Sequence, residues 1–246
     1  MRIIIDEFAD IHVAAGATMR VHMARPAAEG RYPALLLFSE IYQVTAPIRR
    51  LAAIVAGHGF VVCMPEIYHE YETPGSALPY TAEGTARGNA LKIEKPLRAF
   101  DRDAGAAIDF LSAHPSATGT VGTIGLCLGG HLALRAAFDH RVGAAACFYP
   151  TDVHGGTLGA GRADDTLARM DGLKAQMLFV WGRQDPHVPF AGREQIRGRL
   201  EEVGVHYEWH EYNAEHAFMR DEGPRYDPAL AMQALSSAIA LFRRVL

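Results

Sequence analysis

The chain has 246 residues, of which 49% are hydrophobic and 21% charged, a composition ordinary for a globular protein. Its net charge of −4 shows no basic excess, so nucleic acid is not an expected partner. No apolar run reaches the roughly 18 residues that a membrane span requires, and the N-terminus lacks the apolar region of a signal peptide. With three cysteines in no disulfide or metal-binding pattern, we expect one cytoplasmic domain spanning residues 1–246.

The first forty residues predict an antiparallel ribbon, because short runs of β-branched and other apolar residues are separated by small residues. The ribbon is predicted from residues 3–8, 11–13 and 19–23, with a turn near residues 15–17.

Beyond the ribbon, short apolar runs alternate with longer amphipathic ones. Runs that are apolar at consecutive positions are typical of strands buried on both faces of a parallel sheet. Strands are predicted at 34–38, 60–64, 119–126, 144–149 and 176–181, and helices around 48–55, 100–111 and 227–246. This alternation predicts an α/β fold, with a mostly parallel central sheet and helices on both faces. Two irregular stretches, 65–95 and 151–172, are candidates for the rim of a pocket.

The most informative motif is Gly125-Leu126-Cys127-Leu128-Gly129-Gly130, which joins a predicted strand to a predicted helix. A nucleophile at such a turn needs small residues two positions before and after it, because the two backbones pass close together. Cys127 is therefore a candidate nucleophile. The alternative is a structural cysteine buried in a glycine-rich turn.

Two later residues could complete a catalytic triad in the order nucleophile, acid, base. Asp185 follows the predicted strand at 176–181, at the edge of a parallel sheet where ligands bind. His216 lies in the loop before the final helix. Asp185 could instead be the N-cap of the next helix, and any one of twelve histidines could simply lie at the surface.

Together these motifs resemble the dienelactone hydrolases (carboxymethylenebutenolidases), a family with the α/β-hydrolase fold. The resemblance extends over nearly the whole chain. It rests on Ser39-Glu40-Ile41-Tyr42, Ala99-Phe100-Asp101, the motif around Cys127, Trp181-Gly182-x-x-Asp185 and His216-x-Phe218-x-Arg220.

The resemblance implies further roles. Glu40 would accept the proton of the resting Cys127 thiol, and the backbone N–H groups of Ile41 and Leu128 would form the oxyanion hole. Arg220 would bind a substrate carboxylate through its bidentate guanidinium. The family's second substrate-binding arginine aligns loosely with Arg87.

We therefore expect a hydrolase that cleaves a lactone or carboxylic ester through an acyl-enzyme thioester, most simply a carboxylate-bearing dienelactone-type substrate. No metal or organic cofactor is implied. The alternatives are a carboxylesterase or thioesterase of broader specificity and a non-catalytic binding scaffold. A metallohydrolase using His206, His210 and His216 is less favoured, because the sequence has no HExxH motif. The oligomeric state is not predicted.

Overall fold

The computed structural model describes residues 2–13 and 16–246. Eight strands form one sheet in the order β1-β2-β4-β3-β5-β6-β7-β8. They are β1 (Ile3–His12), β2 (Thr18–Pro26), β3 (Tyr32–Phe38), β4 (Val61–Pro65), β5 (Ala117–Leu126), β6 (Val142–Phe148), β7 (Gln176–Gly182) and β8 (Tyr207–Tyr212). From β4 to β8 all neighbouring strands are parallel, whereas β2 runs antiparallel to both β1 and β4. The predicted mostly parallel sheet with an antiparallel N-terminal ribbon is confirmed.

The ribbon differs from the prediction in one respect. β1 is a single strand, because Ala9 and Asp10 pair with Val21 and Arg20 where a break was expected. A register shift between Ile4 and Glu7 interrupts the ladder instead. The turn predicted near residues 15–17 lies partly outside the described residues, since these do not include position 15.

Helices cover both faces of the sheet. They are α1 (Ala46–Gly57), α2 (Ala82–Glu94), α3 (Leu97–Ala113), α4 (Leu128–Ala136), α5 (Phe190–Val203) and α6 (Pro228–Val245). Apolar residues of α1 and α6 pack with Leu35 and Leu37 of β3, whereas those of α3, α4 and α5 share the opposite core with Leu36. Because β3 is buried on both sides, it is apolar at consecutive positions. The final helix begins at an N-cap, Asp227, whose side chain accepts a hydrogen bond from the Leu230 amide at 3.0 Å.

Residues 65–95, which gave no clear prediction, contain α2. Its glycines weaken the helical signal, yet each is needed where the helix packs closely. A Cβ on Gly84 would lie 2.0 Å from the Pro79 carbonyl oxygen, and one on Gly88 would lie 2.5 Å from that of Ile41. Residues 151–172 form loops with two short 3-10 turns, Ala160–Arg162 and Ala168–Gly172.

Within residues 2–13 and 16–246, the helices are too short or too polar to cross a membrane.

Candidate active site

Cys127 occupies a sharp turn between β5 and α4. It is half-buried and has φ 58° and ψ −122°, a conformation that non-glycine residues rarely adopt. The glycines on either side are required: a Cβ on Gly125 would lie 2.0 Å from the Gly129 carbonyl oxygen, and one on Gly129 would lie 2.2 Å from that of Phe38. The Cys127 amide donates to the Phe148 carbonyl at 3.0 Å. The sequence therefore folds here so that one thiol is held above the carboxyl edge of the sheet.

Asp185 and His216 meet at the same edge, each following the end of a neighbouring strand. His216 Nδ1 lies 2.6 Å from Asp185 Oδ2, and both side chains are buried. The other oxygen, Asp185 Oδ1, accepts the His187 amide at 2.8 Å. Burial acts to raise the pKa of Asp185, but the hydrogen bond and charge of His216 lower it overall. Asp185 is not an N-cap, because α5 begins at Phe190 with Pro189 in that position.

Cys127 and His216 line the same cavity. Burial disfavours the charged imidazolium, but the neighbouring Cys127 and the hydrogen bond to Asp185 outweigh it. Together they raise the pKa of His216 to about 10. The site therefore favours a protonated His216 beside Asp185.

Glu40 and Arg220 form a second pair beside the thiol. Glu40 is buried just after β3, and Arg220 Nη1 lies 3.5 Å from its Oε2. The guanidinium also stacks over the Tyr80 ring, 4.4 Å from the centroid. Burial raises the pKa of Glu40, and the charges of Arg220 and His216 oppose this shift. Both side chains line the cavity that Cys127 and His216 face.

The Ile41 and Leu128 amides lie on two loops beside the nucleophile. Leu128 is the first residue of α4, where an amide has no partner inside the helix. Neither amide donates a hydrogen bond to any acceptor in the described part of the chain. Both are thus available to a ligand.

Arg87 is not brought into the cavity. Its side chain is 44% exposed and its Nε donates to Glu72 at 2.8 Å. Four residues of α2, spaced three or four positions apart and so on one face of the helix, line the cavity: Ala82, Thr85, Asn89 and Lys92. Arg87 lies two residues after Thr85, so it projects from a different side of the helix.

The cavity has a volume of about 630 Å³. Several of its lining residues were not singled out by the sequence: Tyr80, Lys92, Asp152, His187 and Arg225. Lys92 Nζ, for example, binds both carboxylate oxygens of Asp152 at 2.8 and 2.9 Å. That contact joins residues sixty positions apart, and local sequence patterns carry no signal for it.

The histidines weighed for a metallohydrolase do not meet. His216 is bound to Asp185, and His210 Nε2 lies 3.7 Å from Glu208. Within the described residues, the group with metal-ligand spacing is His69, Glu70 and Asp103. The two carboxylates of this group, Glu70 and Asp103, already bind the ammonium of Lys95.

Comparison with known proteins identifies the family. The Dienelactone hydrolase family matches residues 19–246. A Saccharomyces cerevisiae protein named "Putative carboxymethylenebutenolidase" is 41% identical, over 99% of this chain and 93% of its own length. The "Carboxymethylenebutenolidase" of Pseudomonas putida is 30% identical, over 82% and 81% of the two chains.

Solved structures agree with this assignment at the level of the fold. The crystal structure of the "Putative Dienelactone Hydrolase from Klebsiella pneumoniae" superposes with a TM-score of 0.83 at 22% identity, covering 99% of each chain. The chain therefore has the α/β-hydrolase fold and belongs to the dienelactone hydrolase family, whose members are hydrolases acting on lactone or ester bonds.

Proposed function

We propose that this protein hydrolyses a lactone or carboxylic ester with Cys127 as nucleophile, through an acyl-enzyme thioester. One observation carries the proposal: the thiol on the strained turn and His216 line one cavity, and His216 is held by Asp185 at 2.6 Å. A nucleophile, a base and a group that orients the base are the parts that covalent acyl transfer requires.

In the first half of the reaction, Cys127 Sγ attacks the carbonyl carbon as a thiolate. The new S–C bond moves an electron pair onto the carbonyl oxygen, and the Ile41 and Leu128 amides stabilise that oxyanion. When the tetrahedral intermediate collapses, the C–O bond to the leaving group breaks. His216 gives its proton to the departing alkoxide, and Asp185 keeps the imidazole oriented.

In the second half, water hydrolyses the thioester. Acylation makes the sulfur neutral, so the charge that helps raise the pKa of His216 is gone. His216, now neutral, can accept a proton from water while the water oxygen attacks the thioester. Collapse of the second intermediate breaks the S–C bond and returns the thiolate and the imidazolium.

Glu40 is proposed to take the proton of the resting thiol when substrate binds, as the family resemblance implies, and this produces the attacking thiolate. The proton returns from Glu40 to the sulfur once the product acid has left. Burial of Glu40 supports this role, because burial raises the pKa of the carboxyl and makes its carboxylate a better proton acceptor. The reaction needs a reduced Cys127 thiol, so we propose that it takes place in the cytoplasm.

The test is hydrolysis of 4-nitrophenyl acetate by wild type and Cys127→Ala. We expect the variant to lose at least about 10³-fold in kcat, the size typical of a lost nucleophile. Cys63→Ala and Cys147→Ala are matched controls, because both of these thiols are buried in the core away from the cavity. Intact-mass spectrometry during turnover should show the acetyl group on wild type and not on Cys127→Ala. Undiminished turnover by Cys127→Ala would overturn the proposal.

A further inference from the structure

Gln43 has a backbone conformation that few residues other than glycine adopt. Its φ is 66°, in the left-handed region, and it lies in the loop that carries Glu40 and Ile41 from β3 to α1. A glycine would take this conformation without strain. The glutamine side chain is buried beside the cavity rather than lining it. A strained residue with a buried side chain points to a task that glycine could not perform.

The backbone of Gln43 closes a tight turn. Its amide donates to the Glu40 carbonyl at 3.3 Å, so Ile41 and Tyr42 are the central residues of a four-residue turn. Its own carbonyl accepts the Thr45 amide at 2.9 Å, just before α1 begins. The direction of the Ile41 amide is therefore set by a turn that ends at Gln43.

The side chain of Gln43 ties this turn to the loop after β4. Its Oε1 accepts the buried Tyr68 amide at 3.0 Å. The Tyr68 hydroxyl in turn donates to the Gly88 carbonyl of α2 at 3.1 Å. Gly88 packs against the Ile41 carbonyl, where a Cβ would lie 2.5 Å from the oxygen. The contacts thus run in a closed circuit from Ile41 through Gly88 and Tyr68 back to Gln43.

The circuit surrounds an amide that is available to a ligand. Within the described residues, the Ile41 amide donates to no acceptor, and Ile41 lines the cavity together with Cys127. A donor that stabilises an oxyanion must be fixed before the charge develops, because reorienting it during the reaction offsets the stabilisation. Without the Gln43 side chain, the turn would lose its link to Tyr68.

We propose that Gln43 is a positioning residue of the oxyanion hole. By accepting the Tyr68 amide, it holds the turn so that the Ile41 amide points at the oxygen on which the negative charge develops. This inference rests on the proposed hydrolysis, and it assigns a task to a residue outside the cavity. A glutamine with a purely structural role would affect stability alone, whereas a positioning residue also changes the binding of the transition state.

The experiment removes the acceptor at position 43. Gln43→Met keeps the length of the side chain, and we expect kcat on 4-nitrophenyl acetate to fall roughly ten- to hundredfold, a part of what loss of a whole oxyanion donor costs. KM should stay within about twofold of wild type. Gln43→Gly relieves the left-handed strain but also lacks the acceptor, so it should lose kcat to a similar extent. A wild-type kcat in either variant would overturn the proposal.

Two controls separate this effect from a loss of stability. Gln233→Met makes the same change at an exposed position of α6 and should leave kcat unchanged. Ile196→Val loosens the core at α5, outside the cavity. It should lower the free energy of unfolding in chemical denaturation and keep kcat within about twofold of wild type. If Ile196→Val lost as much kcat as Gln43→Met, stability would explain both losses and the proposal would fail.

A pair of inhibitors probes the oxyanion directly. The Cys127 thiolate adds to the carbonyl carbon of phenethyl trifluoromethyl ketone, and the electron pair of the C=O bond moves to the oxygen. The corresponding alcohol has no carbonyl to attack. In Gln43→Met we expect the Ki of the ketone to rise by about the factor by which kcat falls, and that of the alcohol to stay within about twofold. Equal changes in both constants would overturn the proposal.

These results are independent of the test of the nucleophile. If Cys127→Ala lost turnover and Gln43→Met did not, the proposed hydrolysis would stand and the role of Gln43 would be wrong. If another residue proved to be the nucleophile, a selective loss of ketone affinity in Gln43→Met would still support an oxyanion hole at this turn.

Discussion

Gly182 packs directly against the carbonyl oxygen of Ala214. A Cβ on Gly182 would lie 2.4 Å from that oxygen, which also accepts the Gln184 amide at 3.0 Å. Gly182 ends the strand before Asp185, and Ala214 lies two residues before His216. The loops that carry Asp185 and His216 therefore pass each other at a distance that only a glycine at position 182 permits.

The first prediction concerns this contact. Gly182→Ala should separate the two loops and lower the free energy of unfolding by about 1–3 kcal/mol, as overpacking does. Misplacing the imidazole by about 1 Å can cost roughly 10²-fold in rate, so we expect a loss of that order in kcat on 4-nitrophenyl acetate. Chemical denaturation and steady-state kinetics measure the two effects.

Gly198→Ala is the matched control. Gly198 lies within α5, and an added Cβ there meets nothing within 4 Å. The change should stabilise the protein by roughly 0.5–1 kcal/mol, because alanine favours a helix interior, and it should leave kcat unchanged. If Gly182→Ala behaves as Gly198→Ala does, the contact has no part in positioning the triad.

The second prediction concerns the acid. Asp185→Asn keeps the size of the side chain but removes the charge that orients and stabilises the His216 imidazolium. We expect kcat on 4-nitrophenyl acetate to fall by roughly 10²- to 10⁴-fold. Asp227→Asn makes the same chemical change at the N-cap of α6, where asparagine caps as well as aspartate, so its activity should match wild type. Equal activity of the two variants would remove Asp185 from the mechanism.

Short-range patterns were enough to predict the sheet and the edge at which Cys127, Asp185 and His216 lie. Apolar runs identify strands buried on both faces, and parallel strands end at one edge, so residues that follow Leu126, Gly182 and Tyr212 must come near one another. The glycines around Cys127 predict the turn because their spacing follows from a steric need.

Pairings between distant segments could not be predicted in this way. Lys92 meets Asp152 across sixty residues, and nothing near either residue indicates the other. The helix that holds Lys92 was missed because Gly84 and Gly88 are there for packing against Pro79 and Ile41, at the expense of helix propensity. Without that helix, the direction of the Arg87 side chain could not be judged.

The third prediction follows from the position of Arg87. Its guanidinium is paired with Glu72 at the surface and does not line the cavity. We expect Arg87→Gln to leave kcat/KM on 4-nitrophenyl hydrogen glutarate, an anionic ester with a free carboxylate, within about twofold of wild type, because an exposed ion pair contributes little. The same assay with Arg220→Gln provides the contrast, because that guanidinium lines the cavity. A selective loss on the anionic ester with Arg87→Gln would show that Arg87 reaches the substrate during turnover.

The fourth prediction concerns the proton on His216. Its pKa is raised to about 10, with contributions from Cys127 and from Asp185. Proton NMR titration should show its ring charged through neutral pH in wild type. In Cys127→Ala the midpoint should move to lower pH, since the influence of the sulfur on the imidazole is lost. The resonance of the exposed His140 serves as reference in both proteins. An unmoved midpoint would mean that Cys127 does not act on His216.

The same shift has a consequence for stability. A histidine whose pKa is raised by folding stabilises the native state fully below its unfolded pKa of about 6.5. That stabilisation is lost as the pH rises through the folded value of about 10. The free energy of unfolding of wild type should therefore fall between neutral pH and pH 10 more steeply than that of Cys127→Ala.

The fifth prediction concerns the charge cluster around Lys95. Lys95 is fully buried, and its Nζ donates to Glu70 at 2.7 Å, to Asp103 and to the Ile67 carbonyl at 2.9 Å. Lys95→Met removes the ammonium that binds both carboxylates and should lower the free energy of unfolding by about 3–5 kcal/mol. Lys174→Met, at an exposed position, should stay within about 0.5 kcal/mol of wild type.

A double-mutant cycle isolates the pair within this cluster. Asp103 sits between Lys95 and His69. Burial acts to raise its pKa, but these two neighbours lower it overall. Its stabilising effect is therefore present above its unfolded pKa and is lost as the pH falls through the folded value. If the two side chains depend on each other, Lys95→Met with Asp103→Leu should be less destabilised than the sum of the single changes, by roughly 1–3 kcal/mol. Strict additivity would mean that Lys95 stabilises the fold through the Ile67 carbonyl and Glu70 alone.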